Sequence, residues 1–179
     1  MNKEEICAAI EAILFASGTP VGTDRIAAAL ELDTATVKDC ADELIDTYMK
    51  RQSGIRIIRL NNNLQMCTCK EYGEYVRKVM DMKKNTPLSQ AAMEVLAVVA
   101  YNQPVTKAFI EQIRGVDCSG VVSSLCLKGL IEEKGRLELP GKPLLYGTTD
   151  HFLRCFGIET LEGLPEINSE NKENKEPDE

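Results

Sequence analysis

Residues 101–146 read YNQPVTKAFIEQIRGVDCSGVVSSLCLKGLIEEKGRLELPGKPLLY, and the punctuation of this stretch decides the fold. Thr106 stands where a helix cap is needed, ahead of Phe109, Ile110 and Ile113 at helical spacing. Gly115 breaks that helix, and Asp117 or Ser119 is placed to cap a second one carrying Val122, Leu125 and Cys126 on one face. Gly129 stops it. Leu130-Ile131 and Leu144-Leu145-Tyr146 are short apolar runs around a Gly/Pro-rich, basic-tipped loop, the pattern of a hairpin. Helix, turn, helix, hairpin is the order of a winged helix.

Just upstream, Ser89 is positioned to cap QAAMEVLAVVAY, a helix apolar nearly all round and therefore expected at the centre of its domain. Downstream, Asp150 is placed to cap a short helix with Phe152, Leu153 and Phe156, closed by Gly157. Leu161, Leu164 and Pro165 form a last apolar patch.

The first half repeats the pattern. Residues 4–16 predict a helix with Ile6, Ile10, Ile13 and Leu14 on one stripe and a smaller strip of Ala8, Ala12 and Phe15 opposite. That strip is either an exposed face tolerated on a core helix or the seat of a partner subunit. After the Ser17–Pro20 turn, Thr23 or Asp24 caps a short helix with Ile26, Ala29 and Leu30. Asp33 or Thr34 opens a longer one with Val37, Ala41, Leu44, Ile45 and Tyr48. IRIIRL (55–60) and LQMCTC (64–69) flank Asn61-Asn62-Asn63, a hairpin signal. A last helix puts Tyr72, Tyr75, Val76 and Val79 on one face.

A shift of 84 positions lays Ala16 on Ala100, Pro20-Val21 on Pro104-Val105, Ile26 on Ile110, Asp33 on Asp117 and Val37 on Val121. The expected fold is therefore α+β, mainly α, with two tandem winged-helix domains. They span residues 1–84 and 85–165, divided near Lys83–Pro87 and followed by a disordered acidic tail over 166–179.

Composition narrows the functional classes. The chain has 179 residues, 44% apolar, and a net charge of −7. Six acids against two lysines in residues 166–179 account for four of those charges, leaving the body only mildly acidic. No apolar run is long enough to span a bilayer, and the N-terminus MNKEEICAAIEAIL lacks the core of a signal peptide. Seven cysteines without framework spacing point to reduced thiols and a cytoplasmic location.

Catalytic and metal chemistry leaves no trace in the sequence. Gly141-Lys142 fails as a phosphate loop, because Arg136 stands at the required first glycine and Pro143 follows the lysine. Cys67 and Cys69 have no further ligand at fitting spacing, and His151 is the only histidine, read here as a surface residue. No enzyme activity, metal or cofactor is expected.

DNA reading is also disfavoured. The would-be recognition helix of the second domain, CSGVVSSLCLKG, has Lys128 as its only charge, and that of the first carries Asp33, Asp39, Asp42, Glu43 and Asp46. Those acids would meet phosphates. Only Lys50, Arg51, Arg56 and Arg59 form a basic set, the basis of the alternative reading as a DNA-binding transcriptional regulator.

Specific blocks add more. EAILFASGTPV (11–21), YNQPVT, RGVD-SG and PG-P-LYGTT, set within residues 4–165, strongly resemble the segregation and condensation protein B family, the winged-helix subunit of the bacterial SMC–kleisin complex. Lys142 departs from the family's frequent arginine, and Leu137-Glu138-Leu139 makes a less polar wing. The resemblance implies a non-enzymatic homodimer, joined mainly through the first domain, that clasps the central part of the kleisin (segregation and condensation protein A). ATP hydrolysis would belong to the SMC partner, and the chain would act in chromosome condensation and segregation without a membrane or strong DNA contact of its own. Carried over residue by residue, it puts Tyr101, Asn102, Gln103, Pro104, Arg114, Gly115 and Tyr146 at the kleisin contact, and Ala8, Ala12 and Phe15 in the dimer interface.

Overall fold

The computed structural model describes residues 1–80 and 87–166. The boundary expected at 84/85 and all of the expected tail but Glu166 lie outside those residues. Helix α1 (Lys3–Ser17) starts from a reciprocal cap: the Asn2 side chain accepts from the Glu5 N–H at 2.9 Å, and the Glu5 carboxylate accepts from the Asn2 N–H at 2.8 Å. Ile6, Ile10 and Leu14 form its buried stripe. Strand β1 (Val21–Gly22) leads into α2 (Thr23–Leu30) and α3 (Thr34–Lys50), the latter capped by Asp33 through the Thr36 N–H. Strands β2 (Ile55–Leu60) and β3 (Asn63–Thr68) then pair antiparallel, and β1 adds to β3 in the order β1-β3-β2.

The second unit repeats this order. Helix α5 (Gln90–Asn102), capped by Ser89, buries Ala92, Val95, Leu96, Val99 and Ala100, the wide apolar face expected of a central helix. Strand β4 (Val105–Thr106), α6 (Lys107–Arg114), α7 (Ser119–Leu127), β5 (Ile131–Arg136) and β6 (Leu144–Thr148) follow, with sheet order β4-β6-β5. Helix α8 (Asp150–Phe156) closes the unit. The shift of 84 carries the bounds of α2 onto those of α6. It fails after α3, because α7 has 9 residues where α3 has 17.

Two apolar clusters form. Ile6, Ile10, Leu14, Ile26, Val37, Ala41, Leu44 and Leu64 belong to one, and Val95, Leu96, Val99, Ile110, Val122, Leu125, Ile131 and Phe152 to the other. Leu60 crosses over: it lies in the first hairpin yet is buried in the second cluster.

Several local expectations are corrected. Thr23 lies within α2 and is buried, its hydroxyl donating to Asn62; Gly22 in extended conformation precedes the helix without a side-chain bond. Thr149, not Asp150, caps α8 by accepting from the Phe152 N–H, while the Asp150 carboxylate is taken by the Asn61 and Asn63 side chains. The first hairpin turns on two residues, Asn61 and Asn62, with Leu60 paired to Asn63; Asn61 takes the left-handed φ of 54° that asparagine tolerates. Helix α4 (Gly73–Val79) buries no residue, and Tyr75 and Val79 face solvent.

Candidate partner-binding site

The seven residues singled out for partner contact occupy two places along the antiparallel α5/α6 pair. Tyr101 and Asn102 end α5, and Gln103 and Pro104 lead into β4, where Val105 pairs with Tyr146. Arg114 and Gly115 sit at the far end of α6, beside Glu94 in the first turns of α5. Eight helical residues at 1.5 Å each separate the two groups by about 12 Å.

Within the first group the side chains differ in what they leave free. Gln103 is committed internally: its Oε1 accepts from the Thr148 N–H at 2.7 Å, and its Nε2 donates to Thr148 Oγ1 at 2.8 Å. These bonds tie the end of α5 to β6. Gly147 is required beside them, since a Cβ there would lie 2.7 Å from Gln103 Oε1. The Tyr101 hydroxyl donates to the Pro165 carbonyl at 2.6 Å while its ring stays exposed, and Asn102 donates to Val98 C=O at 2.8 Å. Pro104 is exposed. Tyr146 is half-buried, and burial pushes its phenol above the ordinary value, with Cys126 and Glu133 adding to the shift.

In the second group, the half-buried Arg114 guanidinium is paired to Glu94 at 2.5 Å. Glu94 is largely exposed, so water screens the pair to no more than about 1 kcal/mol. Gly115 takes the left-handed φ of 72° that ends α6, with nothing within 4 Å of a Cβ position. Arg114 and Gly115 thus shape the end of the helix.

Between the groups runs a feature the sequence reading did not assign to a surface. Only Ile110 of α6 is buried; Phe109 and Ile113 (52% exposed) form an open apolar pair, and Val116 beyond Gly115 is exposed as well (54%) but lines a hollow with Ala108, Glu111 and Gln112 on another side of the helix. Phe109 and Ile113 are four positions apart and lie about 40° apart around the helix, whereas Ile110 is about 100° from Phe109. Ile113 is about 60° from Ile110, so spacing alone leaves open which of the three is covered.

In the first unit, Ala8, Ala12 and Phe15 are all exposed, Phe15 at 77%. The flank of α1 toward α3 carries an open groove lined by Cys7, Ala8, Glu11, Glu43, Thr47 and Tyr48, bridged by polar bonds. There the Tyr48 hydroxyl donates to Glu11 at 2.6 Å, and burial with that bond pushes the phenol up to about 12. Cys7 Sγ donates to the Cys40 carbonyl at 3.7 Å, and burial, with Cys40 beside it, pushes the Cys7 thiol up to about 11.

The surfaces a DNA reader would use are charged otherwise. Asp39, Asp42, Glu43 and Asp46 are exposed on α3, and Arg59 of the basic set is paired to Asp42. On α7 the side chains of Ser123, Ser124 and Leu127 face solvent. His151 is half-buried, held near Arg154 and Cys155, and burial followed by the Arg154 charge lowers its pKa. All seven cysteines are free thiols, and among the described residues no three His, Cys, Asp or Glu side chains gather as a metal site. No helix among them is long and apolar enough to cross a membrane.

The two units repeat one mainly helical plan, each with a three-stranded antiparallel sheet, with exposed apolar side chains on α1 and α6 and a third helix that is acidic in one unit and uncharged in the other. Comparison with known proteins is specific: the chain belongs to the family described as segregation and condensation complex subunit ScpB, whose model matches residues 8–167. It is 44% identical over 176 residues, 98% of this chain and 93% of the relative, to segregation and condensation protein B of Alkaliphilus metalliredigens (strain QYMF). The same protein of Clostridioides difficile (strain 630) is 44% identical over 169 residues, covering 93% and 94% of the two chains. Among solved structures, a dimer of the ScpB N-terminal domain complexed with a ScpA peptide is 30% identical, covering 42% of this chain and 95% of that one with a TM-score of 0.41. Membership places the chain in chromosome segregation and condensation.

Proposed function

We propose that this chain is a non-enzymatic, cytoplasmic scaffold that works as a homodimer and clasps the central region of a kleisin of the ScpA type, through which it joins the SMC ATPase. Its division into a dimerisation domain (1–84), a second winged-helix domain (85–165) and an acidic tail (166–179) belongs to the same proposal. A relative's N-terminal domain is described as a dimer with a ScpA peptide, and the same partner suits this chain. The observation that carries the partner reading is the open apolar pair of Phe109 and Ile113 on α6, which lies between Tyr101–Pro104 and Tyr146 at one end of the helix and Arg114 and Gly115 at the other. An apolar face rimmed by polar groups suits the apolar side of a partner helix. The exposed strip of Ala8, Ala12 and Phe15 supports the dimer: two small residues let a second helix approach closely, and the ring supplies buried area.

Light scattering tests the proposal. The free chain is expected at twice its 19.8 kDa mass, and with the kleisin's central segment at two chains to one kleisin. Phe15→Asp should return the free chain to one copy. A monomer at micromolar concentration, or no complex with the kleisin segment, contradicts the reading.

A further inference from the structure

In a DNA-reading winged helix the hairpin is free to touch the nucleic acid. Here the first hairpin is turned inward. Leu60, 1% exposed, lies in the second unit's core, and Ile58 packs against the same cluster. The three consecutive asparagines at the turn divide their bonds between the two units. Asn62 faces home: its carbonyl accepts from the Thr23 N–H and its Oδ1 from the Thr23 hydroxyl, both at 3.1 Å. Asn61 and Asn63 face the second unit. The Asn61 N–H donates to the Glu159 carbonyl at 2.8 Å, the Asn61 side chain donates to Asp150 Oδ1 at 3.1 Å, and the Asn63 side chain donates to Asp150 Oδ2. Gln65, 3% exposed, extends the seam: its Oε1 accepts from Arg154 at 3.3 Å while its Nε2 donates to the Gly18 carbonyl at 3.1 Å.

We propose that Asn61-Asn62-Asn63 is a latch between the two units, with Asp150 as its keeper, that holds them as one body and withdraws the first hairpin from nucleic acid. Both carboxylate oxygens of Asp150 are used, each by a different amide, so the keeper recognises the turn and not a single donor. Thr149 performs the helix cap, which leaves Asp150 free for this role. The partner-contacting faces of the two units are then presented at one fixed spacing, whatever partner occupies them.

A swap of donor and acceptor tests the latch without any partner present. Asn63→Asp sets two carboxylates against each other and should open the seam. Asn63→Asp combined with Asp150→Asn should close it again, because the new amide donates to residue 63 and its oxygen still accepts from Asn61. Hydrogen exchange of the Asn61 amide reads the seam directly, small-angle scattering reads the separation of the units, and far-ultraviolet circular dichroism checks that both remain folded. The single variant is expected to speed that exchange about tenfold or more and to enlarge the radius of gyration, and the swap to restore both. Wild-type values in the single variant, or a swap that stays open, overturn the latch. Should Asn63→Asp lose its helical signal, Asn61→Ala with Asn63→Ala, which removes the donors without adding charge, is judged by the same opening.

Discussion

The two hairpins are copies of one repeat put to opposite uses. The first has two six-residue strands joined by a two-residue turn, buries Ile57, Leu60, Leu64 and Gln65, and ends inside the seam between the units. In the second, β5 buries only Ile131, its register slips between Glu133 and Gly135, and its tip carries exposed Leu137, Leu139 and Lys142. The helices differ in the same sense: α3 has 17 residues with an acidic face, α7 has 9 and an uncharged one. The pair teaches that a repeat can keep its core and caps while turn length and helix length redirect its surfaces. In this chain one wing became internal structure and the other stayed outside.

The comparison can be broken at matched positions, from the largest effect down. Leu60→Ala removes a side chain that lies in the first unit and is buried in the second, and should cost about 3 kcal/mol. Urea denaturation followed by circular dichroism should show the loss, with chemical-shift changes spreading to Val95 and Phe152; changes confined to the first core would separate the units after all. Gln103→Ala, which frees the buried Thr148 N–H and hydroxyl, should cost about 2 kcal/mol. Its repeat counterpart is the exposed Thr19, where alanine should change stability by less than about 0.5 kcal/mol. Thr106→Ala removes the α6 cap at about 1 kcal/mol, whereas Thr106→Gly, which recreates the bare Gly22 start of α2, should cost only a few tenths. Both variants lack the cap bond, so equal losses would mean that glycine's backbone freedom offsets nothing, and no loss in either would mean that the bond contributes nothing.

Acid should act on both units alike. Asp33 is held below the ordinary 3.8 by bonds from the Thr36 hydroxyl and N–H, and Asp117, its counterpart, by bonds from Ser119. A carboxylate with a depressed folded-state pKa stabilises fully above its unfolded value and loses that contribution as pH falls through the folded value. Denaturation midpoints should therefore fall below about pH 4, and Asp33→Asn and Asp117→Asn should each flatten that fall. A fall that begins near pH 6 would implicate His151 instead.

Much of the fold was legible because caps and stops are local. Asp33, Ser89, Thr106, Gly115 and Gly129 are each sufficient to start or end an element without help from distant residues, and the 84-residue shift then reveals the second copy. The errors share one cause. Thr149 and Asp150 are both able caps, and the contest is settled by Asn61 and Asn63, nearly 90 positions away, which claim the carboxylate. Phe109 and Ile113 satisfy helical spacing with Ile110, but only the packing of α5 on α6 decides which of them is covered. The residues singled out for partner contact stood out as a block of sequence and not as a surface. Gln103 and Arg114 proved to hold the unit together, and the apolar pair between the two groups became visible only once α6 was placed.

That both units bind protein and not DNA is most directly tested by one titration series. Labelled kleisin central segment and labelled duplex DNA are each titrated with the chain at rising salt, and the slope of log affinity against log salt is read for both. The account predicts tight kleisin binding that weakens little with salt, lost on Ile113→Asp, and no measurable DNA affinity at physiological ionic strength. Sub-micromolar DNA binding with a steep salt slope, or kleisin binding indifferent to Ile113→Asp, would contradict it.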